Sequence, residues 1–485
     1  MNVNEDGVTN NNESGKKLDN EKTTSLFLCF VNTIVNLHVI TLGATTVWIS
    51  PMASKLASSD PDENPLGRPI STFELSLVGS LSQAGMVIGP LLLEKFFDRF
   101  GRKRSVNILM ALVVCCYAIL SLSQHIYLYY AAIFSIGILL GGCLVGIFMY
   151  ISEVTEDHNR GSFSCYSGAF IPVGNLYAFI LGSCFSAKVF NLLCALPALF
   201  AIVISVLFLP ESPQYLINIS EKKEALKVVR KLLGAHHSRA INLVATVELN
   251  TKKINNNKAG VIKELFGNRS SRNGFLICCI LTLLPFSSGI PSVMSYLHTI
   301  FKEAQIDTFY STLAVGSLHI FCYLTASILV EKMGRKVLLL LSISATTVPL
   351  LILSVYFYLI DIGAPIVDDL KWVPAAGVLL LILTATTGMC TVPLVYLNET
   401  FTNDVKSTAL SILYFISTTL VTCEIFLFPL VQDLLGLSWC FGAFLVMCIP
   451  AFLFVLLTVP ETKGRNISEI QEMLAGRKLY SISCK

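Results

Sequence analysis

Twelve apolar stretches, each about twenty residues long, make up most of this 485-residue chain. A helix of that length spans the roughly 30 Å of hydrocarbon in a bilayer, whereas the strands of a membrane barrel are shorter and alternate apolar with polar residues. The chain is therefore predicted to be an all-α membrane protein with twelve transmembrane helices, numbered helix 1 to helix 12. The stretches lie at about 25–50, 72–92, 105–123, 127–151, 162–184, 189–209, 273–300, 309–330, 337–360, 373–397, 407–431 and 437–459.

The distribution of basic residues predicts the orientation. Only 14% of the residues are charged, against about 25% in soluble domains. With the N-terminus in the cytoplasm, nearly all Lys and Arg residues fall on the cytoplasmic side, as the positive-inside rule requires. The exceptions are Lys55, Arg68, Lys188, Lys302 and Lys371. We therefore expect both termini in the cytoplasm, and the net charge of +3 gives no indication of a nucleic-acid partner.

Three charged signatures occur twice in the same order, each at the end of an apolar stretch. The first copies are DRFGRK at 98–103, Glu153 followed by Arg160, and PESP at 210–213. The second copies are EKMGRK at 331–336, Glu399 followed by Lys406, and PET at 460–462. A repeated pattern of this kind indicates a duplicated membrane bundle, the usual architecture of a carrier.

The repeat divides the chain into two halves of six helices. The predicted segments are a polar cytoplasmic tail at 1–24, a first half at 25–219, a cytoplasmic linker at 220–272, a second half at 273–464 and a cytoplasmic tail at 465–485. Residues 221–233 have apolar residues at helical spacing and predict a short amphipathic helix, although a solvated linker is also compatible with them. A second such helix is predicted at 465–475, with Ile467, Ile470 and Leu474 on one face.

The signatures resemble those of the major facilitator superfamily, and PESP together with PETKGR at 460–465 narrows the resemblance to its sugar porter family. The segment SGIPSVMSY at 288–296 fits the same family. WISP at 48–51 and the pairs Ala169-Phe170 and Gly174-Asn175 are most similar to the insect facilitated trehalose transporter group. The resemblance covers about residues 25–475 and implies two six-helix halves that work by alternating access.

The charged signatures are candidate gate residues because all of them lie at cytoplasmic helix ends. Carboxylates and guanidinium groups there are expected to pair between the two halves, holding the inner side closed and separating when the halves rock apart. The alternative is that these charges only anchor the topology. The candidate gate residues are Asp98, Arg99, Arg102, Glu153, Arg160, Glu211, Glu331, Arg335, Glu399, Lys406 and Glu461.

The candidate substrate site departs from the family pattern. Family members that carry hexoses bind sugar hydroxyls with amides and an indole, which offer fixed donors and acceptors and an apolar ring face. At the matching positions this chain has Gly168, Pro285, Phe286, Pro291, His319, Thr386, Leu394, Ser417 and Thr418. The site is therefore predicted to bind a different or larger polyol through hydroxyls, or to bind no sugar. Each hydroxyl taken singly also fits a role in helix packing. The candidate substrate contacts are Ser287, Ser288, Ser292, Tyr296, His319, Thr386 and Ser417.

Ionisable residues inside the predicted helices bear on coupling to protons. Proton-coupled relatives carry a carboxylate in helix 1, but no Asp or Glu occurs between Glu21 and Asp60. This absence favours passive transport. Glu424 in helix 11 is the candidate proton site, and His38 and His319 could make transport sensitive to pH.

The sequence predicts a facilitative sugar transporter of the hexose or trehalose class in the plasma membrane, acting as a monomer. It shows no enzyme signature, no metal-ligand spacing and no phosphate-binding loop, so we expect no cofactor. The rival interpretations are a sugar sensor or degenerate paralogue that does not transport, and a carrier of another small polar solute, possibly coupled to protons.

Overall fold

The computed structural model describes residues 26–61, 63–155, 166–233, 265–401 and 403–477. Twelve helices in this part of the chain are long and apolar enough to cross a membrane, so the predicted twelve-helix fold is confirmed. The transmembrane helices 1 to 12 span Leu26–Leu56, Thr72–Phe100, Arg102–Leu122, Ile126–Val154, Tyr166–Cys184, Ala187–Phe208, Arg269–Ser287, Thr308–Met333, Arg335–Asp361, Val373–Thr400, Thr408–Leu435 and Leu437–Thr458.

Each half packs mainly on itself. In the first half, helix 4 packs along helices 2 and 3, and helix 1 packs along helices 5 and 6. In the second half, helix 9 packs against helices 10 and 12. The halves meet where helix 2 packs on helix 11 and helix 5 packs on helix 8. These two contacts become equivalent when each helix is matched with the one six places later, so the halves face each other with approximate two-fold symmetry.

The bundle has two ends that differ in charge. The basic end carries the turns at Arg102 and Arg335, and the distal end carries Lys55 and the loop at 57–71.

Glycines allow the closest helix contacts. A Cβ atom on Gly43 of helix 1 would lie 2.2 Å from the carbonyl oxygen of Ile171 on helix 5. A Cβ atom on Gly137 of helix 4 would lie 2.1 Å from the carbonyl oxygen of Ser82 on helix 2. Small residues are the usual basis of close helix packing in lipid, where no hydrophobic force drives helices together.

Helices 7 and 10 are interrupted. Helix 7 ends its first part at Ser287, turns at Gly289 with φ +72°, and continues as Ile290–Ser295 and Leu297–Glu303. The prediction of one uninterrupted helix at 273–300 was wrong, because Gly289 adopts a left-handed conformation that ends a helix. Helix 10 contains a π-helical turn at Thr386–Cys390. Such turns occur frequently at functional sites.

Both predicted short helices are present at the basic end, where a further one spans Pro213–Asn218. The first, Lys222–Leu233, buries Ala225 and Leu232. The second, Ile467–Glu472, leads into a π-helical turn and packs through Ile470 and Leu474. Ile467, which was predicted to share that apolar face, is the first residue of the helix and is 42% exposed.

Gln471 fastens this second short helix to the second half. Its Nε2 donates to the carbonyl oxygen of Thr400 at 2.6 Å, and its Oε1 accepts from the Ser270 hydroxyl at 2.5 Å. We expect Gln471→Ala to lower the free energy of unfolding by about 1 kcal/mol, because the bond to the Thr400 carbonyl is lost. The Ser270 hydroxyl keeps an acceptor in the variant, since it also donates to the backbone carbonyl oxygen of residue 471 at 2.6 Å. Thermal unfolding in detergent measures the effect. Glu472→Ala, at the neighbouring exposed residue, is the control. Equal unfolding temperatures of the two variants would contradict the prediction.

Candidate functional site

Arg102 is the centre of a buried ion-pair cluster at the basic end of the first half. Its Nη2 lies 2.9 Å from Oε1 of Glu153, and its Nε donates to the same oxygen at 3.0 Å. Its Nη1 lies 3.3 Å from Oδ1 of Asp98. The side chains of Arg102 and Glu153 are only 4% and 7% exposed. Each of these two charges therefore depends on the other for compensation.

Glu211 holds the turn between helices 2 and 3. Its Oε1 accepts hydrogen bonds from the backbone N–H groups of Arg102 at 2.9 Å and Lys103 at 3.0 Å. Gly101 in this turn has φ +90°, and a Cβ atom there would lie 2.6 Å from Oε2 of Glu211. The turn therefore requires glycine both for its backbone conformation and for the approach of the carboxylate.

The second half repeats this arrangement. Nη2 of Arg335 lies 2.5 Å from Oε1 of Glu399. Glu461 accepts hydrogen bonds from the backbone N–H groups of Arg335 at 2.9 Å and Lys336 at 3.0 Å. Gly334 has φ +92°, close to the value at Gly101. The duplication seen in the sequence is thus a duplication of side-chain geometry.

Two hydroxyl groups that the sequence analysis did not assign complete the clusters. The Ser212 hydroxyl donates to Oε2 of Glu153, and the Thr462 hydroxyl donates to Oε2 of Glu399 at 2.7 Å. Both follow the glutamate of the P-E-S or P-E-T signature. Their shared position was therefore the signal that could have revealed them.

The remaining candidate gate residues are more peripheral. Arg99 packs over the aromatic ring of the next residue at 5.4 Å, and Glu331 is exposed. Nζ of Lys406 donates to the carbonyl oxygen of Asn398 at 3.1 Å. Arg160 lies outside the described residues.

The assigned ion pairs of the candidate gate residues lie within one half. Arg102 pairs with Asp98 and Glu153 of the first half, and Arg335 pairs with Glu399 of the second half. In this conformation these described pairs therefore join helices of one half, and pairing between the halves stays a prediction. The reason is geometric: each arginine begins a helix directly beside the carboxylate at the end of a neighbouring helix in its own half.

Several of the candidate substrate hydroxyls already have partners in the protein. The hydroxyls of Ser287 and Ser288 donate to the carbonyl oxygens three residues earlier, at 2.9 and 2.6 Å. The Tyr296 hydroxyl donates to the carbonyl oxygen of Ile425 at 3.0 Å. The Ser417 hydroxyl lies 3.5 Å from the carbonyl oxygen of Thr282. These groups retain acceptor lone pairs but have used their hydrogens.

A second set of polar atoms has no assigned partner. The backbone N–H of Ser292 donates to Oε1 of Glu424 at 3.2 Å. Oε2 of Glu424 and the side-chain oxygens of Ser292 and Thr386 are buried and have no hydrogen-bond partner among the described residues. Cys390, in the π-helical turn of helix 10, is close enough to Glu424 for the two groups to interact electrostatically. Buried polar atoms of this kind usually bind water or a ligand.

His319 lies where the two halves meet. With its NH₂ group turned toward the carbonyl oxygens of Gly43 and Ile171, the Asn175 amide presents its oxygen to Nδ1 of His319 at 3.5 Å. The ring packs edge-on against Tyr323 at 5.2 Å. His38, by contrast, is buried in helix 1, with its Nδ1 hydrogen-bonded to its own helix. Only His319 of the two is thus placed between the halves.

The side-chain hydrogen bonds assigned between the halves lie near mid-depth or at the distal end. The one near mid-depth joins Asn175 to His319. At the distal end, His298 bonds to Ser50 and Ser183, and Thr72 donates to Asp433 at 3.2 Å. The distal end is therefore closed by direct contacts across the interface.

A family model described as "Sugar (and other) transporter" matches residues 8–474. The chain is 24% identical over 476 residues to the facilitated trehalose transporter Tret1 of Polypedilum vanderplanki, covering 96% of this chain and 92% of the relative. It is 27% identical over 419 residues to the probable metabolite transport protein CsbC of Bacillus subtilis, covering 84% and 88%.

The fold is also found in solved structures. The inward-open xylose transporter XylE from E. coli matches with a TM-score of 0.75 at 20% sequence identity. The match covers 92% of this chain and 99% of that one. At this identity the likeness establishes the shared twelve-helix fold.

Proposed function

The chain belongs to the sugar (and other) transporter family and is a membrane transporter of the sugar porter type, and from this premise we propose that it is a uniporter for a sugar of the hexose or trehalose class. The substrate binds between the two halves, which rock so that the site opens to one side and then to the other. The relatives named as facilitated trehalose transporters support this choice of substrate class.

The observation that supports the proposal is that the ion pairs lie within the halves, whereas different contacts join one half to the other. The clusters around Arg102 and Arg335 fasten helices within each half. The side-chain hydrogen bonds assigned between the halves are few and lie near mid-depth or at the distal end. Two internally fastened bodies that pack along two helix pairs and share a small number of breakable hydrogen bonds can move as rigid units, as alternating access requires.

We assign the basic end to the cytoplasm, because the positive-inside rule places Lys and Arg there. The distal end, which is closed by direct contacts between the halves, then faces outward across the plasma membrane, and both termini lie inside. In this proposal the two moving bodies are residues 25–219 and 273–464, and the charge clusters approach one another when the inner side closes.

The proposed substrate contacts are the polar atoms that have no assigned partner, together with the histidine at the interface. The Ser292 hydroxyl, which lies beside Glu424, and the Thr386 hydroxyl are buried next to the breaks in helices 7 and 10. His319 offers its ring between the halves. Ser287, Ser288, Tyr296 and Ser417 contribute acceptor lone pairs at most in this conformation, because their hydrogens are already used.

The test is counterflow in proteoliposomes of the purified protein, with labelled glucose, trehalose, fructose and sorbitol and no pH or sodium gradient. Saturable uptake of one solute, abolished by excess of the same unlabelled solute, is the expected result. Binding without flux would instead favour a sensor. Uptake of a non-sugar solute alone would show that the substrate is not a sugar.

A second candidate function is proton-coupled transport, and one observation favours it. Glu424 is 5% exposed and has an oxygen with no partner among the described residues. An ionised carboxylate so placed would be costly unless a proton or another group neutralises it.

Glu424→Gln separates the two candidates. For a uniporter we expect wild-type uptake at pH 5.5 to 8 to need no pH gradient and the glutamine variant to retain that uptake, because glutamine preserves the acceptor for the Ser292 N–H. Initial rates with and without an imposed gradient measure this. Stimulation of the wild type by an inward proton gradient, lost in the variant, would establish coupling through Glu424.

A further inference from the structure

His298 connects three helices at the distal end. It lies on the last part of helix 7, and its ring bonds to Ser50 on helix 1 and Ser183 on helix 5. The Nδ1–Oγ distance to Ser50 is 2.9 Å and the Nε2–Oγ distance to Ser183 is 3.0 Å. His298 is 5% exposed and Ser50 is fully buried. One residue of the second half is therefore held by two serines of the first.

The hydrogen bonds around the ring have a consistent direction only if the ring is neutral. Ser183 donates its hydrogen to the carbonyl oxygen of Phe179 at 2.9 Å, so its oxygen accepts from Nε2–H of His298. The Ser50 oxygen accepts from the backbone N–H of His298 at 3.0 Å, and among the described residues Nδ1 is the acceptor assigned to the Ser50 hydrogen. A neutral imidazole with its proton on Nε2 has one donor and one acceptor and satisfies both serines.

A positively charged ring would not fit this arrangement. Protonation turns Nδ1 into a second donor, which then faces the Ser50 hydrogen. The charge would also be buried near the positively charged side chain of Lys55 on helix 1. The Nζ atom of Lys55 itself lies 5.9 Å from the centre of the Phe190 ring. Glu63 and Cys184 are the other ionisable groups beside that lysine. The aromatic ring of Phe179 lies 5.9 Å from the imidazole.

We infer that His298 is a positioning residue that keeps the distal side of the transporter closed while its ring is neutral, and that protonation of the ring opens that side. The inference rests on the proposed alternating-access function, and in the proposed orientation the distal side is extracellular. A proton binds the open form better than the closed form, so acid shifts the population toward the open form.

The size of the shift follows from the titration of an exposed histidine. A histidine that reaches water in the open form takes up a proton near pH 6.5. If the closed form stays neutral, the ratio of open to closed forms rises about tenfold between pH 7.5 and pH 5.5.

The test is a distance measurement in nanodiscs on the full chain. Fluorophores are attached through unnatural amino acids at Ser59 and Ile366, which are exposed at the distal ends of the two halves. Energy transfer between them reports the open-to-closed ratio without substrate, so the result does not depend on which solute is transported. The variants are H298Q, which retains a donor but cannot titrate, H298A, and H125Q as a control at an exposed distal histidine.

The expected result is a wild-type ratio that rises about tenfold from pH 7.5 to pH 5.5, with the same response in H125Q and none in H298Q. H298A should be more open than wild type at pH 7.5 by roughly tenfold, because it loses both ring contacts. A wild-type ratio independent of pH would overturn the inference. So would an H298Q variant with the wild-type response, or an H298A variant with the wild-type ratio at pH 7.5.

Discussion

Replacing Arg102 by glutamine is expected to lower the free energy of unfolding by about 3–5 kcal/mol, because it leaves Glu153 buried without its counter-charge. That loss is a large share of the roughly 5–15 kcal/mol by which a protein is usually stable. The Ser212 hydroxyl that also binds Glu153 cannot replace a full positive charge. Thermal unfolding in detergent, followed by size-exclusion chromatography, measures the effect.

Two further variants make this prediction specific. Arg102→Gln combined with Glu153→Gln removes both charges, and we expect it to recover at least half of the lost stability. Arg68→Gln breaks the ion pair with Glu74, in which the arginine side chain is 53% exposed, and we expect little change. Equal losses of unfolding free energy in the Arg68 and Arg102 variants would show that burial does not determine how much an ion pair contributes to stability.

Gly137→Ala is expected to lower the free energy of unfolding by about 1–3 kcal/mol, the usual cost of overpacking. The added methyl group would lie 2.1 Å from the carbonyl oxygen of Ser82, a backbone atom that cannot move aside alone. Helices 2 and 4 would therefore have to separate along their contact. The measurement is again thermal unfolding in detergent.

Gly442→Ala is the matched control, because the same methyl group there has room. Its nearest neighbour would be Oγ of Ser354 at 3.4 Å, an ordinary contact distance. Alanine also favours a helix over glycine by up to about 1 kcal/mol, so this variant should be neutral or slightly more stable. Destabilisation of Gly442→Ala to the same extent as Gly137→Ala would mean that the close approach of helices 2 and 4 is not the cause.

The number of helices could be predicted from the sequence because hydrocarbon thickness imposes one length on every membrane-spanning helix. The helix ends could not be read from hydropathy. Helix 2 was predicted to stop near residue 92, yet it continues to Phe100 through charged residues. Charged side chains are compatible with a helix that has left the hydrocarbon, so the end is set by Gly101 and its positive φ. The break at Gly289 was missed for the opposite reason, since the residues around it are apolar enough to resemble one span.

The candidate site was predictable where chemistry is repeated in the sequence. The clusters around Arg102 and Arg335 follow signatures that occur twice, and their carboxylates lie where those signatures place them. The contact between His298 and Ser50 has no such repeat, and the two residues are 248 positions apart. Only the packing of helix 7 on helix 1 reveals it. Whether a hydroxyl of the proposed substrate site has a hydrogen-bond partner also depends on backbone geometry, which the sequence does not display.

The clusters around Arg102 and Arg335 also bear on the order in which the protein is made. Arg102, Glu153, Glu211 and Ser212 all precede helix 7, so the first cluster can form while the second half has not yet been synthesised. Domains generally fold as units, beginning with the N-terminal one. The second cluster has to wait for Glu461 and Thr462, which follow helix 12. The nascent chain can therefore neutralise the charges of these two clusters in two separate stages, and neither stage needs a partner from the other half.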